Sequence, residues 1–285
     1  MSRSSSSDSG PDGLLLVDKE PGESSRRAAS RVARAIRAKK FGHAGTLDPF
    51  ATGLLLVLVG RACRTQDWFT RLPKEYLATA RLGAVSTTGD PEGEITETGR
   101  IPPEPLKLPT GRIRQRPPAY SAVHVGGRRA YELARAGEEV ELPEREVEVV
   151  RFEETGRDGD LVELRIECSS GTYVRSLVSD LGDAFTTALR RTAVGPFAVS
   201  DADPDRLIPL EEALPFLPRL HLGPPDAALI ANGRPLEATG EIEPAPWAVA
   251  GEAPGDVLLI DAQGAVAIAR PAQDGRLRSV VGFRG

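Results

Sequence analysis

The chain has 285 residues, of which 40% are hydrophobic and 27% charged, and its formal net charge is −5. This composition excludes collagen-like, low-complexity and coiled-coil proteins, and the length predicts one large or two modest domains. The longest apolar run, residues 54–59, is much shorter than the roughly 18 residues that a membrane-spanning helix needs.

Cysteine and histidine are scarce. Cys63 and Cys168 stand far apart and in no metal-binding spacing, and the 3 histidines are scattered along the chain. This pattern predicts a reduced compartment and no protein-bound transition metal. We therefore expect a cytoplasmic protein that has neither a metal nor a membrane partner.

The charges are unevenly distributed. Residues 199–285 carry 7 basic and 13 acidic side chains, a net charge of −6, whereas residues 14–198 carry 28 basic and 26 acidic ones, a net charge of +2. Within residues 24–40 there are 7 basic side chains and no acid. Each basic cluster alone fits a solvated surface, but several together favour an RNA or DNA partner, because phosphates respond to the local potential.

Short strands dominate the predicted elements. Apolar runs and alternation bounded by turn residues predict strands over residues 14–17, 53–59, 76–82, 146–152, 161–168, 257–260, 265–269 and 278–281. Helices are predicted over residues 24–36, over residues 131–135, and from a Thr172 cap to about residue 185. Irregular connections are predicted over residues 41–52 and over residues 101–118.

The order of these elements predicts four segments. Residues 1–12 are rich in Ser, Gly and Asp and predict a disordered tail. Residues 13–200 predict an α+β catalytic domain. The proline-rich residues 201–224 predict a linker, and residues 225–285 predict a small, mostly β domain.

The densest turn signals lie in residues 42–53, GHAGTLDPFATG. Such a stretch between a helix and a buried strand predicts a rigidly held loop, where reacting groups tend to be displayed. Asp48 is the only carboxylate between Glu23 and Asp67. Beside arginines it can act as an ionised nucleophile or base, or it can simply cap the turn before Pro49.

Residues 42–60, GHAGTLDPFATGLLLVLVG, closely resemble the signature of the TruB family of bacterial tRNA pseudouridine-55 synthases. Further strings match in the family's order: GLLLVDKEPGESS, KEYLATARLGAVSTTGD, RQRPPAYSAVHVGGRRAYELAR, and CSSGTYVRSLVSDLGDA followed by ALRRTAVGPF. The resemblance covers most of residues 13–198. It is specific because several strings coincide in one order.

The resemblance implies a pseudouridine-synthase fold, which is a mixed, largely antiparallel sheet flanked by helices, with a small PUA-like C-terminal domain. It implies a monomeric isomerase that converts uridine-55 in the T arm of tRNA to pseudouridine without a cofactor. In such an enzyme the target base leaves its stack, and an Asp48-dependent step cleaves the glycosidic bond. The uracil then rotates and is rejoined through C5 to C1′.

Site residues follow from the same matching positions. The resemblance implies three catalytic residues, Asp48, Tyr76 and Arg175. In this scheme Asp48 is the catalytic aspartate, Arg175 is its ion-pair partner, and Tyr76 stacks on the uracil and can move a proton. The implied substrate-binding residues are His43, Tyr76, Asp90, Tyr173 and Leu189. The cationic positions suggested for RNA backbone contacts are Arg26, Arg31, Arg34, Lys39, Lys40, Arg112, Arg114 and Arg116.

The chain departs from the family pattern at a few positions. His124 stands where the family has lysine, Glu20 stands where proline is common, and the segment before Leu189 is shorter. These departures leave open an RNA-binding or tRNA-folding module with weak catalysis. A carboxylate glycosidase is disfavoured, because it needs a second carboxylate where this pattern offers an arginine.

Overall fold

The computed structural model describes residues 10–121, 123–125, 127–138, 142–237, 239–247 and 255–284. Most of the predicted tail, residues 1–9, lies outside these ranges. The end of that segment is fixed, since Asp12 forms a 2.6 Å ion pair with Arg61. Among the described residues, no helix is long and apolar enough to cross a membrane.

Strands outnumber helices. In chain order the strands are β1 (Gly13–Lys19), β2 (Phe41–Ala44), β3 (Thr52–Val59), β4 (Lys74–Leu82), β5 (Ala84–Ser86), β6 (Ile95–Glu97), β7 (Gly111–Gln115), β8 (His124–Val125), β9 (Arg128–Arg129), β10 (Arg145–Asp158), β11 (Leu161–Cys168), β12 (Ala184–Val194), β13 (Phe197–Ala198), β14 (Asp203–Ile208), β15 (Arg219–His221), β16 (Leu236–Glu237), β17 (Val257–Asp261), β18 (Gly264–Pro271) and β19 (Arg276–Gly282). The α-helices are α1 (Ser25–Ala35), α2 (Gln66–Arg71), α3 (Ala130–Arg135), α4 (Val174–Ser179), α5 (Leu210–Ala213) and α6 (Pro224–Ala231), and two short 3-10 helices span Gly60–Thr65 and Val199–Asp201.

A 10-stranded sheet forms the larger part of the molecule. Its strands lie in the order β14-β1-β3-β12-β4-β11-β10-β7, with β2 beside β3 and β13 beside β12. Its described strand pairs are antiparallel except for β3 and β12, which run parallel. This is the mixed, largely antiparallel sheet that the sequence predicted.

The sheet is covered on both faces at its centre. On β3, Leu55 and Val57 face one core together with α1, whereas Leu54, Leu56 and Leu58 face a second core. A strand buried on both faces reads as a continuous apolar run, which explains the uninterrupted LLLVLV of the sequence. The half-buried β4 instead alternates, as predicted, with Tyr76 among its buried residues.

The C-terminal sheet, in the order β15-β17-β18-β19-β16, packs against the larger sheet. Leu258, Ile268 and Phe283 of this sheet and its final turn belong to the same core as Leu14 and Leu54. A shared core of this kind holds the small β domain on the catalytic sheet through apolar burial.

The structure differs from the prediction of a linker over residues 201–224. This segment contains β14, α5 and β15, and β14 pairs with β1 so that Ile208 lies opposite Leu14. Pro204 is compatible with this arrangement because β14 is an edge strand. Proline has no backbone N–H, and one side of an edge strand needs no hydrogen bonds to a neighbouring strand.

A second difference concerns the helix predicted from Thr172 to about residue 185. The helix that forms, α4, ends at Ser179, and the chain enters the central strand β12 at Ala184. Gly182 has a φ of +127°, which a non-glycine residue rarely adopts, and it turns the chain out of the helix. Likewise, β2 and β7 form within the segments predicted to be irregular.

Candidate active site

The loop of residues 45–51 between β2 and β3 is anchored to buried polar groups on both sides. The Ser25 hydroxyl donates to the carbonyl of Leu47 and accepts from its amide, both at 2.8 Å. The Lys19 ammonium, with no solvent exposure, donates to the carbonyl of Pro49 at 3.2 Å and to that of Glu23 at 2.7 Å. The start of α1 and the end of β1 thus hold the loop that carries Asp48.

Arg175 lies between two carboxylates. Its Nε is 2.9 Å from Asp48 Oδ2, and its Nη1 is 3.1 Å from Asp90 Oδ2. The same guanidinium donates to the carbonyls of Thr88 at 2.7 Å and Tyr120 at 2.8 Å. Only 4% of its side-chain surface is exposed, so its orientation is fixed by these bonds.

Two opposing effects act on Asp48. Burial raises the pKa of its carboxyl above the ordinary aspartate value, and the nearby Asp90 charge adds to the rise. The Arg175 charge and its hydrogen bond lower that pKa. Burial dominates, so Arg175 is the chief group that keeps an ionised Asp48 available at neutral pH.

A cavity of about 260 Å³ opens beside this ion pair. It brings together the predicted residues Asp48, Tyr76, Tyr173, Arg175 and Leu189 in its lining. The lining does not include His43, which lies on β2 before the loop, or Asp90, which lies behind Arg175. Among the described residues, no group of three His, Cys, Asp or Glu side chains could hold a metal ion.

The ring of Tyr173 is held at the cavity edge from two directions. The buried Gln115 side chain accepts from the Tyr173 amide at 2.8 Å and donates to its carbonyl at 3.0 Å. The guanidinium of Arg145 lies 4.7 Å from the ring centroid, which is within the range of a cation–π contact. Sequence reasoning did not identify Gln115 or Arg145, because both lie far from Tyr173 in the chain.

Lys74 and Arg191 also line the cavity and were missed as site residues. Arg191 follows another arginine, Arg190, in the sequence, and only 1% of Arg191 is exposed. Consecutive strand residues point to opposite faces, so one of the two had to face inward. Arg190 points outward and pairs with Asp18 at 2.6 Å. The alternation of side chains between the two faces of a strand was therefore the signal in the sequence that could have identified one of these arginines as buried.

The buried Lys74 should make the free energy of unfolding of the protein depend on pH. Burial, together with the Arg191 charge, lowers the pKa of its ammonium from 10.5 to about 7. Between these values the unfolded chain binds the proton and the folded chain does not, so the free energy of unfolding rises with pH over this window. The slope contributed is at most about 1.4 kcal/mol per pH unit, and it disappears below the folded pKa.

We therefore expect Lys74→Met to remove this slope. Urea unfolding at about pH 7 and about pH 9 measures this effect. From the lower to the higher pH, the free energy of unfolding of wild type should increase by roughly 2 kcal/mol more than that of the variant. The exposed Lys107→Met serves as the control and should follow wild type at both pH values. Parallel pH dependences of wild type and Lys74→Met would contradict the assignment.

The predicted RNA-backbone residues occupy two exposed surfaces. One begins beside the loop of residues 45–51, which we call the catalytic loop because it carries the predicted catalytic residue Asp48. This surface carries the exposed side chains Arg26, Arg31, Arg34, Lys39 and Lys40. The second is the edge strand β7 and the residue after it, with Arg112, Arg114 and Arg116 exposed.

Some of these cations have acidic neighbours. Arg31 pairs with Glu23 at 3.1 Å, and the β7 edge is partly neutralised by ion pairs of Arg112 with Glu146 at 3.6 Å and of Arg116 with Glu144 at 3.7 Å. Exposed pairs of this kind contribute little stability and exchange readily for phosphate contacts. The surface along α1 therefore offers the stronger local positive potential.

The site can be compared with known proteins. Residues 33–174 match the family model described as TruB family pseudouridylate synthase, N-terminal domain. The tRNA pseudouridine synthase B of Corynebacterium aurimucosum is 44% identical over 254 residues, which cover 80% of this chain and 85% of that protein. The tRNA pseudouridine synthase B of Thermobifida fusca is 42% identical over 263 residues, covering 82% and 89%.

The fold is similar to that of chains in two solved complexes. One is an H/ACA ribonucleoprotein bound to a substrate RNA containing 2′-deoxyuridine, with a TM-score of 0.67 and 23% identity over 96% of this chain and 85% of that one. Another is a Cbf5-Nop10-Gar1 complex, with a TM-score of 0.66 and 22% identity over 96% and 84%. These likenesses confirm the predicted fold class. The sequence matches establish that the chain belongs to the TruB family of pseudouridylate synthases and is, as predicted, an isomerase of that family.

Proposed function

We propose that this enzyme acts on tRNA and converts uridine-55 of the T arm to pseudouridine, with Asp48 as its catalytic aspartate. The observation that carries the proposal is the Asp48–Arg175 ion pair of 2.9 Å at the wall of a base-sized cavity. The curated relatives that the chain matches over most of its length are named tRNA pseudouridine synthases.

In the proposed reaction the target uridine is flipped out of the RNA and enters the cavity. The N1–C1′ bond breaks, and its electron pair remains on the uracil. The Asp48 carboxylate assists either by attacking C1′ or by removing the C2′ proton to form a glycal. The uracil then rotates and C5 bonds to C1′, while the Asp48–C1′ bond breaks or, by the glycal route, C2′ regains its proton. The hydrogen on C5 leaves as a proton and N1 takes up one, so the product is an isomer of the substrate.

The remaining cavity residues position the base in this proposal. Tyr76, which is 9% exposed at the cavity surface, offers its ring for stacking on the uracil, while Leu189 and Tyr173 enclose the other sides. His43, on the strand that leads into the catalytic loop, would contact RNA next to the flipped nucleotide. Asp90 acts through Arg175 by fixing the opposite end of its guanidinium.

RNA recognition is proposed to follow the shape of the T arm. The cations along α1 start at the catalytic loop and extend over about 16 Å of helix, given a rise of about 1.5 Å per residue. They can follow phosphates away from the flipped base, with β7 as a second, weaker contact. The acidic C-terminal domain would contribute little electrostatic attraction.

We also propose that the protein acts as a cytoplasmic monomer.

Tritium release tests the proposal on a tRNA transcript labelled with 5-³H-uridine, because only C5 bonding expels that hydrogen. We expect release from the natural transcript and none from a transcript that carries cytidine at position 55. Tight tRNA binding without release would instead support the RNA-binding or tRNA-folding module. Release that persists on the cytidine-55 transcript would contradict the assignment of position 55.

A further inference from the structure

Arg191 places a buried positive charge in the cavity wall, and no acidic side chain among the described residues pairs with it. Its Nε donates to the carbonyl of Leu54 at 2.8 Å, and its Nη2 donates to the carbonyl of Gly45 at 2.9 Å. In the part of the chain that the structure describes, no carboxylate forms an ion pair with it. Burying a cation that has no carboxylate to compensate its charge lowers stability, so its presence at a site calls for a functional reason.

The guanidinium of Arg191 lies against the catalytic loop. Gly45 has a φ of +78°, and a Cβ at this position would stand 3.2 Å from Arg191 Nη1. The guanidinium also reaches Tyr76, since its charge and a hydrogen bond lower the pKa of that phenol, although burial raises it overall. Arg191 therefore contacts both the loop that carries Asp48 and the side chain proposed to stack on the base.

The charges around the cavity are arranged asymmetrically. On one side, Arg175 lies between two carboxylates, Asp48 and Asp90, and the buried Lys19 charge also acts on Asp48, so the charges of this cluster largely offset one another. Arg191 stands apart from that cluster, bound to Gly45 and Leu54. A fixed cation whose charge no acid neutralises stabilises a developing anion more strongly than one already paired.

We propose that Arg191 stabilises the negative charge that develops on the uracil when its glycosidic bond breaks. The inference rests on the proposed function, because that reaction leaves the N1–C1′ electron pair on the base, where it spreads over N1, O2 and O4. No proton transfer from Arg191 is involved. Arg191 stabilises the uracil most when the glycosidic bond breaks, because the negative charge on the base is then largest. This stabilisation decreases once C5 has bonded to C1′.

Lys74, the other cation of the cavity, is less suited to this role. Its ammonium donates to the backbone carbonyls of Thr70, at 2.6 Å, and Leu72, so it is directed toward the end of α2. Its lowered pKa leaves it only partly charged near neutral pH. The guanidinium of Arg191 is instead held against the catalytic loop by its bonds to the carbonyls of Gly45 and Leu54.

The test compares two substrates with different leaving-group stability. Single-turnover cleavage is followed on tRNA transcripts carrying uridine or 5-fluorouridine at position 55, by loss of the parent nucleoside from nuclease digests. Fluorine withdraws electrons and stabilises the uracil anion by itself. We expect Arg191→Met to slow cleavage of uridine by about 10²-fold without changing tRNA affinity. The fold-loss on 5-fluorouridine should be on the order of tenfold smaller.

Two further variants keep the test decisive. Arg191→Lys retains a charge but loses the two-carbonyl fork, and it should show a smaller loss with the same substrate dependence; it also replaces Arg191→Met if that variant does not fold. Arg190→Met, at the exposed neighbour, should resemble wild type on both substrates. Equal fold-losses on uridine and 5-fluorouridine would overturn the proposal in favour of a structural role. Failure of wild type on uridine would instead overturn the proposed function.

Discussion

Replacing Asp48 with asparagine is expected to abolish pseudouridine formation while tRNA binding is retained. The variant keeps the shape of the side chain and can still hydrogen-bond to Arg175, but it removes the carboxylate that we propose assists cleavage of the glycosidic bond. Loss of a group that takes part directly in bond cleavage typically costs about 10⁴-fold or more in rate. Single-turnover tritium release, with tRNA affinity measured by filter binding, checks this expectation.

Asp67→Asn is the matched control for this variant. Asp67 lies exposed in the first turn of α2, so its replacement makes the same chemical change and should leave the rate unchanged. Activity of Asp48→Asn within about tenfold of wild type would contradict a direct role for the carboxylate. Loss of tRNA binding by this variant would indicate that the carboxylate shapes the site without taking part in the reaction.

The second large effect is expected at Arg175. Lysine keeps the charge but cannot bridge Asp48 and Asp90 while also donating to two backbone carbonyls. We expect Arg175→Lys to lower the single-turnover rate by about 10²- to 10³-fold, with little change in tRNA affinity. Because burial raises the pKa of Asp48 and Arg175 opposes that rise, weakening the pair should also raise it further.

The pH dependence of the rate separates this electrostatic effect from a change in shape. Asp48 must be ionised to act, so activity falls on acidification, and the acidic limb should move to higher pH in Arg175→Lys. Arg100→Lys, at an arginine whose side chain is 78% exposed and pairs with Asp183, should keep the wild-type profile. An unshifted acidic limb in Arg175→Lys would show that the guanidinium does not control the charge of Asp48.

Much of the fold was predictable because it follows local patterns. The continuous apolar run of β3 and the alternation of β4 are direct consequences of burial on two faces or on one. The errors lie where long-range contacts override local signals. Part of the proline-rich segment forms the edge strand β14, because it pairs with the outer side of β1. Helix α4 ends earlier than predicted, because Phe185 belongs to β12 and pairs with β4 in the central sheet.

The site was predictable only as far as the family motif reaches. Asp48, Tyr76 and Arg175 stand in matching strings, and the structure places all three at one cavity. The supporting residues could not be found from those strings. Lys19 and Ser25 bind the catalytic loop through its backbone carbonyls, and such contacts leave no mark on the sequence of the loop. Arg191 was detectable only through strand parity.

The most direct test of the account is to map the modified nucleotide. A tRNA transcript treated with wild-type enzyme is reacted with carbodiimide, which marks pseudouridine, and the marked positions are read as stops in primer extension. The account predicts one strong stop, at position 55, and no stop after treatment with Asp48→Asn. A stop at another uridine, or none although the tRNA is bound, would contradict it.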